Sequence, residues 1–529
     1  MVKLKKYEPI LFALALLLHL IPVFILTPFV TLDGPVHLYN ARLIHDLILL
    51  PDPLTSDYFT FNPVIEPNLT GHYLMAFLLT FFSPLITEKI LLIGIICGFA
   101  LGYRKLLLAL EPEAGFVSWL IFPLLYNFTF LIGFFNFMIG LSILPYYLAW
   151  WLKSHSRSIG LSAYAYGITG LLLLYYSHIL IFLLALLLSG IISVFSRENK
   201  VITRLVNGED CLIWSVFSRE NKVITRVLLR VAIISLPALV LTIQYLISHD
   251  SRGFHQDIQW LPVTKLFEDL FNSRCIIMYD YALEKRFTRF FTILLLLVTL
   301  PALQFRTIQK YQRIGLLWFV SGMLLLFMVP DSLASGGIIT PRLELWAVIS
   351  FILFLSTLRI PDRASLPAAF GAIMISALMM TYHYRFQREM SDSARTILEA
   401  GKSMKAPSVL LPVNYSGNWL HANLCSYLGA EKKIVVLDNY EADYRLFPIV
   451  WKPNRKPSEN TGNHAATKTP CLTITAAEQI TKHKIDYLSF WYGMPDDKDS
   501  CARDISLQIQ QLYSTAPLRN GNFTLFTRK

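Results

Sequence analysis

The sequence predicts an all-α polytopic membrane bundle of about 11 transmembrane helices, followed by a small C-terminal α/β extracytoplasmic domain. Of the 529 residues, 54% are hydrophobic and 16% are charged, whereas soluble proteins carry roughly 25% charged residues. Uncharged apolar runs separated by short charged turns fill the first three-quarters of the chain, and the mean hydropathy is +0.49. This pattern excludes a soluble enzyme, a disordered protein and a fibrous protein.

The chain carries 47 Lys and Arg residues against 36 Asp and Glu residues, a formal net charge of +11. Lys and Arg concentrate in the cytoplasmic loops of membrane proteins and set their orientation, so the basic excess predicts topology and no nucleic-acid partner. The six cysteines show no CxxC pair and no metal-ligand spacing. For Cys425, Cys471 and Cys501, which share the C-terminal region, a disulfide and unpaired thiols both remain open.

A first transmembrane helix opens the chain. No formal charge occurs from Pro9 to Leu32, after three N-terminal lysines. The stretch is longer than the roughly 7–15 apolar residues of a signal peptide and lacks a small-x-small cleavage site. We therefore expect a retained helix with a cytoplasmic N-terminus.

The first outer loop, residues 31–71, follows this helix. Five acidic residues oppose one basic residue, Arg42, between Leu32 and Gly71, which fits the outer face of the membrane. Apolar residues recur at helical spacing over Val36–Leu50, which predicts an amphipathic helix along the membrane surface.

Further apolar segments predict the remaining spans, near residues 72–86, 88–103, 116–132, 134–152, 160–176, 179–195, 229–247, 290–305, 314–330, 345–358 and 364–384. Alternate connectors are basic, near residues 153–157, 197–230, 306–313 and 359–363. These connectors, if cytoplasmic, fix the side of the membrane on which each earlier loop lies. Counting the spans forward from the first helix gives an answer that differs by one membrane crossing. Either one of 72–86 and 88–103 is re-entrant, or residues 116–152 do not form two full spans.

The same orientation places residues 385–529 outside the cytoplasm and predicts two domains: the bundle, 1–384, with its first outer loop, and the extracytoplasmic domain. The second part is polar and has shorter apolar runs. Strands are predicted over Val409–Val413, Lys433–Leu437, Asp486–Trp491 and Phe523–Phe526, and helices over Asp392–Ala400 and Ser506–Tyr513. The polar residues Lys452–Thr469 predict a surface loop.

One segment is duplicated: SVFSRENKVITR occurs at Ser193–Arg204 and again at Ser215–Arg226. Solenoid repeats recur at least three times and vary, so this verbatim copy indicates a tandem duplication in a cytoplasmic loop. A neutral insertion and a regulatory or lipid-headgroup surface both remain open.

Asp33 is the first candidate functional residue, because it follows the first span directly, at the mouth of the bundle. A carboxylate there can accept a proton from a nucleophile or hold a divalent cation together with phosphate oxygens. The alternative is that Asp33 only caps the helix that follows, because Asp before Gly-Pro suits an N-cap.

The arrangement resembles the GT-C class of integral-membrane glycosyltransferases, which includes protein O-mannosyltransferases and the lipid A aminoarabinose transferase. Asp33 stands where the class has its acidic motif. Gly71-His72-Tyr73-Leu74-Met75-Ala76 resembles the opening of the second span, and Asp331 to Pro341-Arg342 resembles a late outer loop with a basic residue that faces lipid phosphate. A single acidic residue replaces the usual adjacent pair, which leaves metal dependence open, with a divalent cation at Asp33 as one alternative.

The resemblance implies a concrete reaction in the cell envelope. An acceptor attacks the anomeric carbon of a polyprenyl-phosphate-linked sugar with inversion, and a carboxylate, here Asp33, acts as the base. The lipid phosphate leaves. A guanidinium suits that phosphate because it stays charged and donates two hydrogen bonds, which makes Arg342 a candidate, with interfacial snorkelling as its other role.

Four further residues are candidates for substrate binding. His37 belongs to the same acidic segment as Asp33, and Glu66 and His72 stand at the far end of its loop. His178 stands where two apolar segments meet, and an ionisable residue there is a functional candidate, although a hairpin turn explains it nearly as well. The segment Leu437–Ala442, after a predicted strand, is a weaker candidate for acceptor contact.

The leading hypothesis is thus a multi-pass glycosyltransferase of a bacterial cytoplasmic membrane, in polysaccharide or related biosynthesis. The acceptor, whether glycan, lipid or protein, remains open. A transporter or flippase for lipid-linked sugars is an alternative, although such proteins often have repeated halves with ionisable residues at the midplane. A polysaccharide polymerase or ligase is a third alternative.

Overall fold

The computed structural model describes residues 2–63, 65–155, 160–195, 222–250, 258–303, 311–333, 337–358, 360–453, 455, 473–493 and 500–529. Packing divides the chain into two compact units. Unit 1 comprises Met1–Ile21, Glu66–Asn68 and Gly94–His383. Unit 2 comprises Pro22–Ile65, Leu69–Ile93 and Tyr384–Lys529.

Helices dominate the described residues. In chain order they are α1 (Val2–Ile25), α2 (Gly34–Leu49), α3 (Pro53–Tyr58), α4 (Thr70–Leu78), α5 (Pro84–Leu110), α6 (Phe128–Leu131), α7 (Phe135–Ser154), α8 (Leu161–Ser177), α9 (Ile179–Phe195), α10 (Lys222–Asp250), α11 (Val263–Phe271), α12 (Tyr281–Leu303), α13 (Gln312–Met328), α14 (Ile339–Ser356), α15 (Asp362–Gly401), α16 (Ser426–Glu431), α17 (Ile474–Thr481) and α18 (Ser500–Leu512).

Six of these helices are long and apolar enough to cross a membrane, and they occupy Lys5–Ile25, Pro84–Leu110, Phe135–Ser154, Leu229–Ser248, Ile339–Ser356 and Asp362–Gly401. Two further apolar helices, α9 and α13, are shorter. The protein is therefore a multi-pass membrane protein. The predicted count of about 11 spans is not confirmed within the described residues.

The predicted spans between 70 and 152 differ most from the structure. The helix α4 has nine residues and ends at Leu78, whereas α5 runs on for 27 residues from Pro84. Proline suits the first position of a helix, so Pro84 starts α5 and divides the predicted 72–86 segment. Phe116–Leu124 is a 3₁₀ helix that contains Pro123, and the four-residue α6 follows it. Residues 70–110 and 116–152 therefore each hold one helix of span length.

The helix α15 joins two predicted elements. We expected a span over 364–384 and a separate helix at Asp392–Ala400, but the 40 residues Asp362–Gly401 form one helix. Neither Gly nor Pro interrupts the chain from Ala372 to Ala400, and the polar residues there include the helix formers Arg, Gln and Glu. The change from apolar to polar composition within these residues therefore does not coincide with the end of a helix.

Unit 2 contains a five-stranded mixed sheet. Its strands are β2 (Ser408–Asn414), β3 (Ile434–Val436), β5 (Tyr487–Trp491), β6 (Leu518–Asn520) and β7 (Phe523–Thr527), in the order β3-β2-β5-β7-β6. Strand β2 pairs in parallel with β3 and β5, whereas β7 is antiparallel to β5 and β6. All four strands predicted in this region occur, and the predicted helix Ser506–Tyr513 is the second half of α18. The prediction missed β6, which has three residues and little burial.

The first outer loop folds together with the C-terminal residues. Its strand β1 (Phe59–Phe61) pairs antiparallel with β4 (Ile449–Trp451), and the rings of Phe59 and Trp451 stack at 4.3 Å. The helix α2, predicted to lie on the membrane surface, packs against α4 and α16, and 12 of its 16 residues are buried. Its apolar spacing therefore matches burial against protein.

Several predicted features lie outside the described residues. They are most of the duplicated loop, the larger part of the predicted surface loop Lys452–Thr469, and Cys211 and Cys471. Cys425 is described, and it is a buried, free cysteine.

Tyr39 provides a test of the packing of α2. Its hydroxyl donates to the carbonyl of Ile434 and accepts from the amide of Val436, each at 3.1 Å. Tyr39→Phe removes both buried hydrogen bonds, so we expect a loss of about 1–3 kcal/mol in the free energy of unfolding. Thermal unfolding of the purified protein in detergent measures this loss. The half-exposed Tyr492 is the control: Tyr492→Phe should leave the melting temperature unchanged, and equal melting of both variants would contradict the role of Tyr39.

Candidate functional site

Asp33 directly precedes α2, yet its carboxylate does not cap that helix. No side-chain cap bond comes from Asp33. Instead the Thr31 hydroxyl accepts the backbone N–H of Gly34 at 3.1 Å, which satisfies one of the unpaired donors at the helix start. The side chain of Asp33 therefore does not cap α2, in contrast to the capping alternative.

The partners of the Asp33 carboxylate come from the C-terminal part of unit 2. The side-chain amide of Asn423 donates to Oδ1 of Asp33 at 3.3 Å and to the carbonyl of Leu32 at 3.0 Å. The hydroxyl of Tyr440 also forms a hydrogen bond with Asp33. Asp33 is only partly exposed, and a carboxylate in such a position can act as a base or an anionic ligand.

Asp33, His37 and Asn40 share one face of α2, because residues spaced by three or four positions lie on the same side of a helix. This face meets the segment that ends in Asn439, Tyr440 and Glu441. Asn439 donates to the side-chain oxygen of Asn40 at 2.7 Å. Each of the three α2 residues thus has a polar partner in one short stretch of the C-terminal domain.

His37, His72 and Glu441 form a buried polar cluster in unit 2. Nδ1 of His37 lies 2.7 Å from Oε1 of Glu441, and Nε2 of His72 lies 3.1 Å from Oε2 of the same carboxylate. The two facing nitrogens are 3.2 Å apart. The side chains are almost inaccessible: the exposed fractions of His37, His72 and Glu441 are 7%, 1% and 0%.

Burial alone would raise the pKa of the Glu441 carboxyl. The adjacent imidazoles of His37 and His72 outweigh burial and hold this pKa well below its usual range. Asn40 adds a hydrogen bond from its amide nitrogen to Oε2 at 2.5 Å. Glu441 is therefore an ionised, fully buried carboxylate.

Within the described residues, this cluster is also a group that could hold a metal ion: one ligand atom from each residue lies within 4.8 Å of the others. Asp33 is not a member of the group. A divalent cation at Asp33 stays one alternative, as the sequence left it.

The other predicted site residues belong to unit 1, where Arg342 stands in the first turn of α14. Asp331 caps this helix, since its carboxylate accepts the backbone N–H of Thr340 at 2.8 Å. The guanidinium carbon of Arg342 lies 4.2 Å from the ring centre of Phe134 and 5.9 Å from that of Phe137, and Nη1 donates to the carbonyl of Gly337. Aromatic faces stabilise a guanidinium.

His178 contacts the same aromatic residue. Its ring meets Phe137 edge-on at 5.2 Å, and its Nδ1 accepts the backbone N–H of Leu180. His178 stands in the turn between α8 and α9, as the hairpin interpretation predicted. Burial and the charge of Arg342 hold the pKa of His178 well below its usual range, so the imidazole is neutral.

Glu66 also belongs to unit 1 and is buried. It interacts electrostatically with Tyr175, near the end of α8. Two residues along the chain, the carbonyl of Asn68 accepts a hydrogen bond from Asn136 at 2.6 Å. The structure thus brings Asp33 and the His37–His72 pair to neighbouring positions in unit 2, and His178 and Arg342 to one aromatic side chain in unit 1.

Sequence reasoning missed Glu441 as a site residue. The segment Leu437–Ala442 drew attention only as a strand-to-loop junction. The sequence did contain a signal in α2 and the residue before it. Asp33, His37 and Asn40 recur at positions i, i+4 and i+7, and polar residues on one face of a buried helix require polar partners. The choice of partner, about 400 residues away, had no local signal.

No protein-family model matches the chain, and no curated protein sequence matches it. The structure is similar to the crystal structure of ArnT from Cupriavidus metallidurans in the apo state, with a TM-score of 0.50 and 10% sequence identity over 97% of each chain. ArnT is a lipid A aminoarabinose transferase, a GT-C enzyme. The resemblance inferred from the sequence is confirmed at the level of the fold, over nearly the whole chain.

Two variants at the start of α2 distinguish a helix-capping role of Asp33 from a chemical role. Thr31→Ala removes the hydroxyl that caps Gly34, so we expect a loss of about 0.5–2 kcal/mol in the free energy of unfolding. Asp33→Asn keeps an acceptor oxygen for Asn423 and should shift stability by less than about 0.5 kcal/mol. Thermal unfolding of both purified variants measures the difference. A larger loss for Asp33→Asn than for Thr31→Ala would return Asp33 to the role of a structural cap.

Proposed function

We propose that this protein is a GT-C-type glycosyltransferase that transfers a sugar from a polyprenyl-phosphate-linked donor to an acceptor at the outer face of the membrane. The observation that carries the proposal is the similarity to ArnT over 97% of both chains. Two candidate residues have side chains that suit this reaction. The partly exposed carboxylate of Asp33 follows the first span, and Arg342 lies in the first turn of a late span.

Asp33 is the proposed base. Its carboxylate takes the proton of the acceptor hydroxyl or amine while the acceptor atom forms a bond to the anomeric carbon. The bond from that carbon to the phosphate oxygen breaks, and polyprenyl phosphate leaves with the electron pair. Attack opposite to the leaving group inverts the anomeric configuration. The partial exposure of Asp33 supports this role, because an acceptor can approach a carboxylate that is not fully buried.

Arg342 is the proposed contact of the leaving phosphate. The guanidinium lies over the ring of Phe134, which orients it, and a guanidinium can bind two phosphate oxygens at once. The neutral His178, whose ring meets Phe137 edge-on, can donate or accept a hydrogen bond without adding charge. Glu66 remains a proposed substrate contact. We also propose the two domains that the sequence predicted, with the C-terminal domain outside the cytoplasm.

The roles of His37 and His72 change within this proposal. Both were candidates for substrate contact, but each faces the buried carboxylate of Glu441. We propose that they act as positioning residues, which fix the start of α2 and thereby Asp33.

An assay on membranes tests the base. Asp33→Asn should lower transfer from a polyprenyl-phosphate sugar by roughly 10²- to 10⁴-fold, the usual contribution of a general base. Asp57→Asn is the matched control, because Asp57 lies in the same loop and only pairs with Arg455 and His483 at the protein surface. Normal transfer by Asp33→Asn, at equal protein level, would exclude Asp33 as the base.

The phosphate contact has its own test. Loss of a charged hydrogen-bond donor costs about 1.5–3 kcal/mol. We therefore expect Arg342→Gln to lower kcat/KM for the donor by roughly 10- to 150-fold, and Arg342→Lys to recover part of the loss. Arg286→Gln, at an exposed position on α12, is the control. Equal donor kinetics for Arg342→Gln and Arg286→Gln would leave Arg342 as an interfacial anchor only.

A further inference from the structure

We propose that His37, His72 and Glu441 form a binding site for one divalent transition-metal ion, with zinc as the ion that the ligand types favour. The three residues come from α2, from α4 and from a 3₁₀ turn of the C-terminal domain at Tyr440–Asp443. All of them belong to unit 2. The site goes beyond the proposed transfer reaction and is separate from Asp33.

The distances between the ligand atoms fit a metal site. Zinc bonds to histidine nitrogen and carboxylate oxygen at about 2.0–2.2 Å, which places tetrahedral ligand atoms roughly 3.3 Å from one another. In the cluster the two nitrogens are 3.2 Å apart, Nε2 of His72 lies 3.1 Å from Oε2 of Glu441, and Nδ1 of His37 lies 2.7 Å from Oε1 of the same carboxylate. An ion at the centre of these atoms therefore needs only small movements of the side chains.

The ligand types select the ion. Two imidazole nitrogens with one carboxylate suit zinc and its neighbours among the transition metals, whereas Mg²⁺ and Ca²⁺ prefer oxygen ligands. Two histidines and one glutamate leave the fourth tetrahedral position to a solvent molecule or another ligand. The bound ion also places positive charge beside a carboxylate that is 0% exposed, which offsets the cost of burying that charge.

A second layer of residues supports the carboxylate. Asn439 donates to Oδ1 of Asn40, which turns the amide nitrogen of Asn40 toward Oε2 of Glu441. Metal-binding carboxylates and histidines are commonly fixed by such outer partners. The ring of His72 also packs edge-on against Phe447, which limits its rotation.

The ion would join segments that are far apart in sequence: residues 37 and 72 lie 35 positions apart, and residues 72 and 441 lie 369 apart. His37 stands one helical turn after Asp33 on α2. A metal that fixes His37 therefore also fixes the start of α2 and stabilises unit 2.

Metal content tests the site without any transfer assay. The full chain, purified in detergent without a polyhistidine tag and exposed to ZnCl₂, should retain one zinc per chain after dialysis, measured by inductively coupled plasma mass spectrometry. Glu441→Gln and His72→Gln should lose the ion. Asp438→Asn and His421→Gln, which change a buried carboxyl and a buried imidazole of the same unit outside the cluster, should keep it.

A measurement on the unaltered protein covers the case in which the variants fail to fold. After chelator treatment, Co²⁺ should restore the visible absorption bands of a tetrahedral site, Zn²⁺ should abolish them, and excess Mg²⁺ should not. Chelation should also lower the melting temperature, and zinc should restore it.

Two results would overturn the proposal: a zinc content no higher in the parent protein than in His72→Gln, or Co²⁺ bands that are absent from the parent protein. The cluster would then be a hydrogen-bonded His–Glu–His group in which both imidazoles donate to Glu441. The metal measurements use neither a sugar donor nor a sugar acceptor. This outcome therefore does not test the proposed transfer reaction. Conversely, failure of the transfer assay leaves the metal content unchanged.

Discussion

The buried carboxylate of Glu441 is the constraint on which much of unit 2 depends. An ionised carboxylate removed from water needs compensating charge or hydrogen bonds, and an unpaired one costs several kcal/mol. His37, His72 and Asn40 meet this requirement together, and they come from two different helices of the first outer loop and its surroundings. The C-terminal domain therefore fixes the register of α2 through polar contacts, while Tyr39 and the β1–β4 pair fix it through packing and backbone hydrogen bonds.

The same arrangement explains why Asp33 differs from its neighbours on α2. His37 and Asn40 are buried in contact with the C-terminal domain, whereas Asp33, which directly precedes α2, keeps partial access to solvent. Thr31 supplies the cap that Asp33 would otherwise provide. A partly exposed carboxylate beside a well-packed helix is a suitable precursor of a catalytic group, because the helix fixes the position of its backbone.

The sequence predicted elements where local pattern determines structure. The four predicted strands of unit 2 combine β-branched or aromatic residues with short apolar runs, and their limits were predicted to within one or two residues. The predicted span boundaries were wrong where composition and backbone geometry disagree. Pro84 and Pro123 interrupt apolar segments, whereas Tyr384–Ser391 continues a helix through polar residues. For the candidate site, local chemistry indicated Asp33, His37 and His72, but their contact with Glu441 depends on long-range packing that no local signal encodes.

The pairing of the first outer loop with the C-terminal domain also determines the order in which the chain can complete its structure during synthesis. Tyr39 and Ile434 are 395 residues apart. At about 5–20 residues per second, the ribosome needs roughly 20–80 s to make the second partner after the first. Throughout this interval α2 has no C-terminal domain to pack on, and its apolar face can rest on the lipid surface beside the first span. A segment that is made long before the C-terminal domain is thus among the last to reach its native contacts.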